Sequence, residues 1–453
     1  MGGGGAKGDK SLSMGLLETF KQAWADPDLR QRLTFVLIMF AVYVLGVHVP
    51  VPVPGIASST IADIINKTPG LALINVFGGG ALRRVSVFAL SLGPYITAAI
   101  IMQILQTAFP QWKKEMQEGG EYARQQNNRR TRLLTLFLCV FQGFGLYKMI
   151  AQGLGPSGNS FFIIAVVVTC WTAGAMFVLW IGEQISEKGI GNGVSLMIFV
   201  GIILSLPFQF ERLSDAASKG LISWFQVGAM LVILFATTWL VVYFTVAQRR
   251  LPIQHMRRMV GTKVLGGQTS YLPLSVNMVG VIPLIFASSL LYIPNQLALA
   301  LQSNLPAVAD VLNTFQRYID PSQRVVSWLP INPFGVLFYT ALIFFFTYFY
   351  TAIQYNVEDM SDNLKRGGSF IPGVRPGKQT KDFLDGVISR ITVVGAAFLA
   401  VVALVQYLAP AFVGISYSFV SVLGGTSLLI LVSVALETLR QIEANLLMKQ
   451  YGS

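Results

Sequence analysis

Two cysteines, Cys139 and Cys170, and two histidines, His48 and His255, are the residues here best suited to metal ligation or nucleophilic catalysis. Neither pair has ligand spacing. Both cysteines sit inside apolar runs, which argues against a disulfide framework, and the histidines stand far apart. The triplet Gly78-Gly79-Gly80 leads to no Lys-Ser/Thr, so it opens no phosphate-cradling loop. No catalytic triad pattern is present, and no cofactor or metal is expected. What remains is non-covalent chemistry of two kinds. Arg249-Arg250, Arg257-Arg258, Lys365-Arg366 and Arg375 are cations in polar stretches, able to grip phosphate or carboxylate. The long aliphatic runs carry no Asp, Glu, Lys or Arg at their centres. Side chains of that type can close a pore by dewetting, without fixed charge.

The elements that must position these groups follow from composition. Of 453 residues, 53% are hydrophobic and only 12% charged, with a mean hydropathy of +0.60. A soluble domain carries about 25% charged residues. Ten apolar segments run over 33–49, 85–109, 132–152, 160–182, 190–208, 221–247, 274–302, 333–354, 387–410 and 416–436. Most approach the length of about 20 residues that crosses a bilayer as a helix, and barrel strands would be shorter and alternating. The expected class is an all-α polytopic membrane protein. No cleavable signal peptide is visible; Met1 to Gly8 reads as a Gly-rich tail, and Leu16 to Arg32 as a short amphipathic helix leading into the first span.

Ten spans put both termini on one side. On that arrangement 25 of the 33 Lys and Arg residues fall on the side of the termini, which is therefore the cytoplasm. The chain divides into a cytosolic segment 1–32, a five-span half 33–208, a second half 209–437 with cytosolic loops 248–273 and 355–386, and a cytosolic tail 438–453. An odd number of spans per half gives inverted repeats. The second span of each half carries a proline followed two residues later by isoleucine: Leu92-Gly93-Pro94-Tyr95-Ile96 and Val281-Ile282-Pro283-Leu284-Ile285. Interruptions at matching places mark a working site, although ordinary proline kinks are common in membrane helices. An uncharged interior does not suit ion-coupled transport through an ionisable relay. A small-solute transporter with sites made of carbonyls and hydroxyls remains the alternative. A membrane-embedded enzyme lacks paired His, Asp or Glu within the spans.

Five motifs in order carry a resemblance to a known family. They are Ser86-Val87-Phe88-Ala89-Leu90 with Pro94-Tyr95-Ile96-Thr97-Ala98; Gly182-Glu183-Gln184-Ile185 with Gly189-Ile190-Gly191-Asn192-Gly193; Asn277-Met278-Val279-Gly280-Val281-Ile282-Pro283; Phe370-Ile371-Pro372-Gly373-Val374-Arg375-Pro376-Gly377; and Gly424-Gly425-Thr426-Ser427-Leu428-Leu429-Ile430. The chain resembles the SecY family of bacterial protein translocase channels over nearly its whole length. The resemblance implies ten transmembrane helices, in two inverted five-helix halves around a central hourglass pore. Such a pore passes unfolded secretory chains across the inner membrane and releases membrane segments sideways.

Residue roles are also implied by the resemblance. The pore ring is expected at Leu92, Ile96, Val194, Ile198, Ile285 and Ile430. Leu92 with Ile96, and Val194 with Ile198, have the i, i+4 spacing that puts each pair on one helical face. The plug is expected around 71–82, with Ile74, Asn75, Val76, Phe77, Gly78, Gly79 and Gly80 at its centre. Gln103 and Asn277 are the notable polar residues of a lateral gate between spans two and seven. Arg249, Arg250, Arg257, Arg258, Lys365, Arg366 and Arg375 are expected to dock the ribosome and the motor ATPase SecA, with Arg375 the critical side chain. The implied partners further include the SecE and SecG subunits, a translocating polypeptide with its signal sequence, and membrane lipid.

Overall fold

A computed structural model describes residues 16–51, 75–109, 111–112, 115, 119–151, 160–255, 258–260, 263–265, 269–301, 305–323, 331–415 and 424–452. The Gly-rich start, Ile74 and Arg257 lie outside the described residues, as does the beginning of the tenth expected span.

The described residues begin with two helices, α1 (Leu16–Ala25) and α2 (Pro27–Val47). The single helix expected over 16–32 is therefore broken at Asp26. The cause is local. Pro27 cannot donate to a preceding turn but is at home in the first turn of a new helix. Asp26 caps that helix by accepting from the N–H groups of Asp28 and Leu29, at 3.0 and 3.1 Å. The Lys449 ammonium lies 2.8 Å from the same carboxylate. That hydrogen bond is the main reason Asp26 titrates below the usual carboxylate range. It also ties the start of the first span to the end of the last helix.

Among the described residues, nine further long helices follow: α3 (Gly93–Ala108), α4 (Gly120–Ala151), α5 (Phe161–Lys188), α6 (Gly193–Ser218), α7 (Trp224–Val246), α8 (Ile282–Leu301), α10 (Pro333–Gln354), α12 (Lys378–Val413) and α13 (Gly425–Gly452). The shorter α9 (Pro306–Ile319) and α11 (Val357–Arg366) lie in connections. Among the described residues, the helices beginning at Pro27, Phe161, Gly193, Trp224, Pro333, Lys378 and Gly425 are long and apolar enough to cross a membrane. The other three expected spans coincide with α3, α4 and α8. The outer faces agree with an apolar solvent. Val232, Phe235 and Trp239 of α7, spaced i, i+3, i+7, are each about two-thirds exposed. Such a stripe is costly in water and at home in lipid.

The expected helical body is present, and two of its connecting loops add short strands that the sequence reading did not foresee. The loop 248–273 holds strands β1 (Gln248–His255), β2 (Arg258–Val260), β3 (Lys263–Leu265) and, reaching just past the loop, β4 (Thr269–Ser275), and the loop 355–386 adds β5 (Ser369–Phe370). They form a three-stranded sheet in the order β4-β1-β5, and a separate β2-β3 ladder. Leu251 and Ile253 are buried at alternate positions along β1, while Arg249 and Arg250 near its start are exposed. This is the period-two pattern of a half-buried strand.

Span two also differs from expectation. Residues 81–92 form successive turns, and helix begins only at Gly93. Span seven likewise begins as helix at Ile282, after bends that include Gly280 at φ +66°. Both prolines therefore start their helices and do not interrupt them. A proline in the first turn loses no hydrogen bond, since that N–H has no intrahelical acceptor. The matching of the two halves survives this correction, because the irregular lead-in occurs in both.

Candidate functional site

The hairpin of α5 and α6 is built on glycine. A Cβ at Gly193 would fall 1.8 Å from the Gly182 carbonyl oxygen, so only glycine permits this approach. Ser186 Oγ donates to the Gly182 carbonyl at 3.1 Å and accepts from the Gly193 N–H at 2.8 Å. Asn192 caps α6 through the Ser195 N–H, and Gly191 turns the chain at φ +92°. These contacts fix the first turns of α6, which carry Val194 and Ile198. At the opposite side, a Cβ at Gly425 would meet the Val402 carbonyl at 1.8 Å. Thr426 Oγ1 donates to Gln406 Oε1 at 2.6 Å. The start of α13 is thus held against α12, and Ile430 follows one turn later.

Leu92 occupies the cap position of α3, with φ −90° and ψ 2°, and its carbonyl accepts from the Ile96 N–H at 3.0 Å. It is therefore not within the same helix as Ile96, as the i, i+4 spacing had suggested. The segment before it is packed tightly. A Cβ at Gly174 of α5 would lie 2.0 Å from the Val87 carbonyl, and one at Gly46 of α2 would lie 2.0 Å from the Phe88 ring. Tyr43 stacks on the same ring at 5.8 Å. Ile285 sits in the first turn of α8, its N–H bonded to the Val281 carbonyl at 3.1 Å.

These supports bring all six expected ring residues into one apolar cluster. Leu92, Ile198 and Ile430 are 3%, 5% and 1% exposed, and Ile96, Val194 and Ile285 are half-buried against them. They come from the α3 lead-in, α3, α6, α8 and α13, so five chain segments converge. Val76 and Phe77 of the expected plug belong to the same cluster. Asn75 to Phe77 form a short helical turn, followed by Gly79 and Gly80 at φ +66° and +82°. Two successive left-handed residues explain why glycine stands at both positions. Val76 and Asn75 are buried, and Gly78 is buried beside them.

Among the described residues, the expected gate residues Gln103 and Asn277 make no hydrogen bond to each other. Gln103 on α3 faces the Tyr350 hydroxyl of α10. Both amide atoms of Asn277 are buried without a hydrogen-bond partner among the described residues. Asn277 stands in the irregular lead-in to α8. The seam between the halves is instead apolar: Ile100 of α3 shares a buried cluster with Leu284, Phe286 and Ala287 of α8.

The two basic loops form one platform. Strand β5 pairs with β1, and Ser369 Oγ lies 2.8 Å from His255 Nδ1. Arg249, Arg250, Lys365, Arg366 and Arg375 are all exposed, and Arg258 lies in β2. Arg375 stands at a shaped tip. Ile371 is buried in a cluster with Leu251, Leu274 and Leu384. The Val374 N–H returns to the Ile371 carbonyl, and Thr380 Oγ1 donates to the Arg375 carbonyl at 2.9 Å. Gly373 and Gly377 flank the tip at φ +81° and +105°. Sequence reading missed the strands and this joining of loops. The alternation of Leu251 and Ile253 was the signal available.

Comparison with known proteins places this geometry. A family model described as SecY matches residues 86–439. The protein translocase subunit SecY of Pseudomonas aeruginosa is 39% identical over 432 residues, covering 94% of this chain and 93% of that protein. The same fold recurs in a solved SecY protein whose plug domain is described as stabilising the closed state of the translocation channel and maintaining a membrane seal. It has a TM-score of 0.65 and 19% identity, over 91% of each chain. Sec61 in a canine ribosome–channel complex has a TM-score of 0.59 and 16% identity, also over 91% of each chain.

Proposed function

The chain belongs to the SecY family, and from that premise we infer that it is the pore subunit of a protein-conducting channel in the bacterial inner membrane. It passes unfolded secretory polypeptides through its centre and releases membrane segments sideways between α3 and α8. Both termini lie in the cytoplasm. Energy comes from SecA or the ribosome, and SecE and SecG complete the complex. Its work is conduction and not bond chemistry.

The observation that carries this reading is the convergence of six aliphatic side chains, from five segments, with Val76 and Phe77 packed on them. Aliphatic groups attract one another through dispersion and exclusion of water, neither of which selects a sequence. A waist built this way closes on itself at rest and yields around any side chain in transit. The ring is Leu92, Ile96, Val194, Ile198, Ile285 and Ile430. Residues 74–80 are the plug. The lateral gate is the apolar seam of α3 and α8, with Gln103 and Asn277 on its polar margins. Arg249, Arg250, Arg257, Arg258, Lys365, Arg366 and Arg375 receive the motor or the ribosome. The joined sheet supports this last role, because it turns two separate loops into one rigid basic surface.

Reconstitution tests the reading. Vesicles holding this chain with SecE and SecG, supplied with SecA and ATP, are expected to shelter an added preprotein from protease. A fully digested preprotein, with the complex intact in the vesicles, contradicts it.

A further inference from the structure

Helix α9, in the connection from α8 to α10, carries more apolar surface than the fold covers. Ala309, Gln316 and Ile319 are buried and Leu312 is half-buried, on the side where α9 packs along α8. Their spacing of i, i+3, i+7, i+10 makes one stripe of a helix. Asp310, Asn313, Thr314 and Arg317 make an exposed polar face. Between these two faces runs a third stripe with the same spacing: Val308, Val311, Phe315 and Tyr318. Val311 is 69% exposed, and the other three are roughly half exposed. A continuous apolar flank of this kind marks a surface that meets something other than water.

The depth of α9 follows from its corner with α10. Asn332 Nδ2 donates to the Tyr318 carbonyl at 2.7 Å and to the Arg317 and Asp320 carbonyls at 3.2 Å. Its Oδ1 accepts from the Phe334 N–H at 3.1 Å. A Cβ at Gly335 would lie 2.7 Å from the Asp320 carbonyl carbon, so the first turn of α10 rests directly on the end of α9. The end of α9 therefore stands level with the start of α10. Phe346, farther down α10, packs edge-on against Phe286 at 5.7 Å, next in sequence to Ile285 of the waist. The stretch of α10 from Phe334 to Phe346 spans about 18 Å, at about 1.5 Å per residue. Half of a bilayer's hydrocarbon core is about 15 Å. Phe334 thus stands at the extracytoplasmic interface. Exposed aromatic rings cap other spans at that end: Phe161 on α5, Trp224 on α7 and Phe412 on α12. Rings at headgroup depth are where membrane proteins meet that interface.

We propose that α9 lies in the extracytoplasmic interface of the bilayer, with Val308, Val311, Phe315 and Tyr318 set into lipid and Asp310, Asn313 and Arg317 facing water. The partner of the stripe is the lipid surface itself. A helix with one apolar and one polar flank, held at headgroup depth, takes this position. Past the corner, Phe334 and Leu337 are exposed in the first turns of α10, so apolar surface is present on both sides of it. Because α9 packs along α8, it moors the far end of α8 to the bilayer surface. The proposal rests on the channel reading, which sets the waist at the bilayer midplane.

The test uses the complex with SecE and SecG in vesicles, in a chain carrying Cys139→Ala and Cys170→Ala. Val311→Cys, Asn313→Cys, Phe315→Cys and Arg317→Cys are made one at a time and given a nitroxide label. Val232→Cys, on the outer face of α7, supplies the lipid reference. Electron paramagnetic resonance reads collisions with oxygen, which dissolves in lipid, and with a nickel chelate, which stays in water. The ratio of oxygen to nickel collisions is expected to be severalfold higher at 311 and 315 than at 313 and 317, and to approach that at 232. A ratio at 311 and 315 as low as at 317 places the stripe in water and overturns the proposal. Shielding of 311 and 315 from both reagents shows a protein subunit covering the stripe, and overturns it equally. Uptake of preprotein by the native complex tests the channel reading separately, so the two failures are distinguishable.

Discussion

Replacing Ile96 and Ile285 together by serine raises the resting ion conductance of the complex in planar bilayers by roughly tenfold or more. The expectation follows from what these side chains do at rest. Each is half-buried in the cluster that also holds Leu92, Ile198 and Ile430. Truncating a fully buried isoleucine to alanine costs about 2–5 kcal/mol, and half-buried sites fall at the low end. Serine adds a hydroxyl that holds water where the native surface repels it. The two changes fall in one cluster, one on α3 and one on α8, so the dry waist is weakened from both halves. About 1.4 kcal/mol in the balance of closed and leaky states already gives a factor of ten. Serine at Val232 and Phe235, on the outer face of α7, leaves conductance at the native level and serves as the control. Native conductance in the double variant argues against the ring.

Arg375→Glu abolishes SecA-driven uptake of preprotein, reducing it by more than tenfold, while the protein still inserts. The side chain is exposed at the tip, so its replacement disturbs no core. Its backbone is nonetheless held in place by Thr380, by the Ile371 anchor and by two left-handed glycines. A guanidinium so presented loses little freedom when a partner carboxylate or phosphate binds. A charge-assisted hydrogen bond contributes about 1.5–3 kcal/mol, and charge reversal adds repulsion to that loss. Arg375→Lys keeps the charge without the planar fork, and its uptake falls between the two. ATP-dependent uptake into vesicles measures all three. Native uptake by Arg375→Glu removes the docking role.

Much of the architecture was legible as apolar length. Each of the ten expected segments coincides with a long helix over most of its described residues. The proposed ring could be named only through resemblance, since no property of Ile430 or Val194 separates it from a lipid-facing aliphatic. What places them is glycine: the bare contacts at Gly182–Gly193 and Gly425–Val402 are backbone approaches across the fold. Such a requirement leaves no periodic trace in one sequence. The late start of α3 was hidden for a related reason. Residues 81–92 are as apolar as a helix, yet Val85 and Ser91 adopt left-handed backbone at φ +50° and +48°. Their neighbours Val87 and Phe88 pack against Gly174 and Gly46, and neither residue type announces such a turn. The lead-in position of Asn277 was hidden in the same way, since the apolar run 274–302 gives no sign that helix starts only at Ile282. The break at Asp26 was different in kind. Asp-Pro is a local signal for a helix start, and it was overlooked beside the amphipathic run on either side.

A polypeptide stalled in transit gives the most direct test. With a photoreactive residue replacing Ile198, and a secretory chain arrested partway through the complex, illumination is expected to join the arrested chain to position 198. The same probe at Phe235 on the outer face yields no such product. Capture at Phe235 with silence at 198 contradicts a central path through the aliphatic waist.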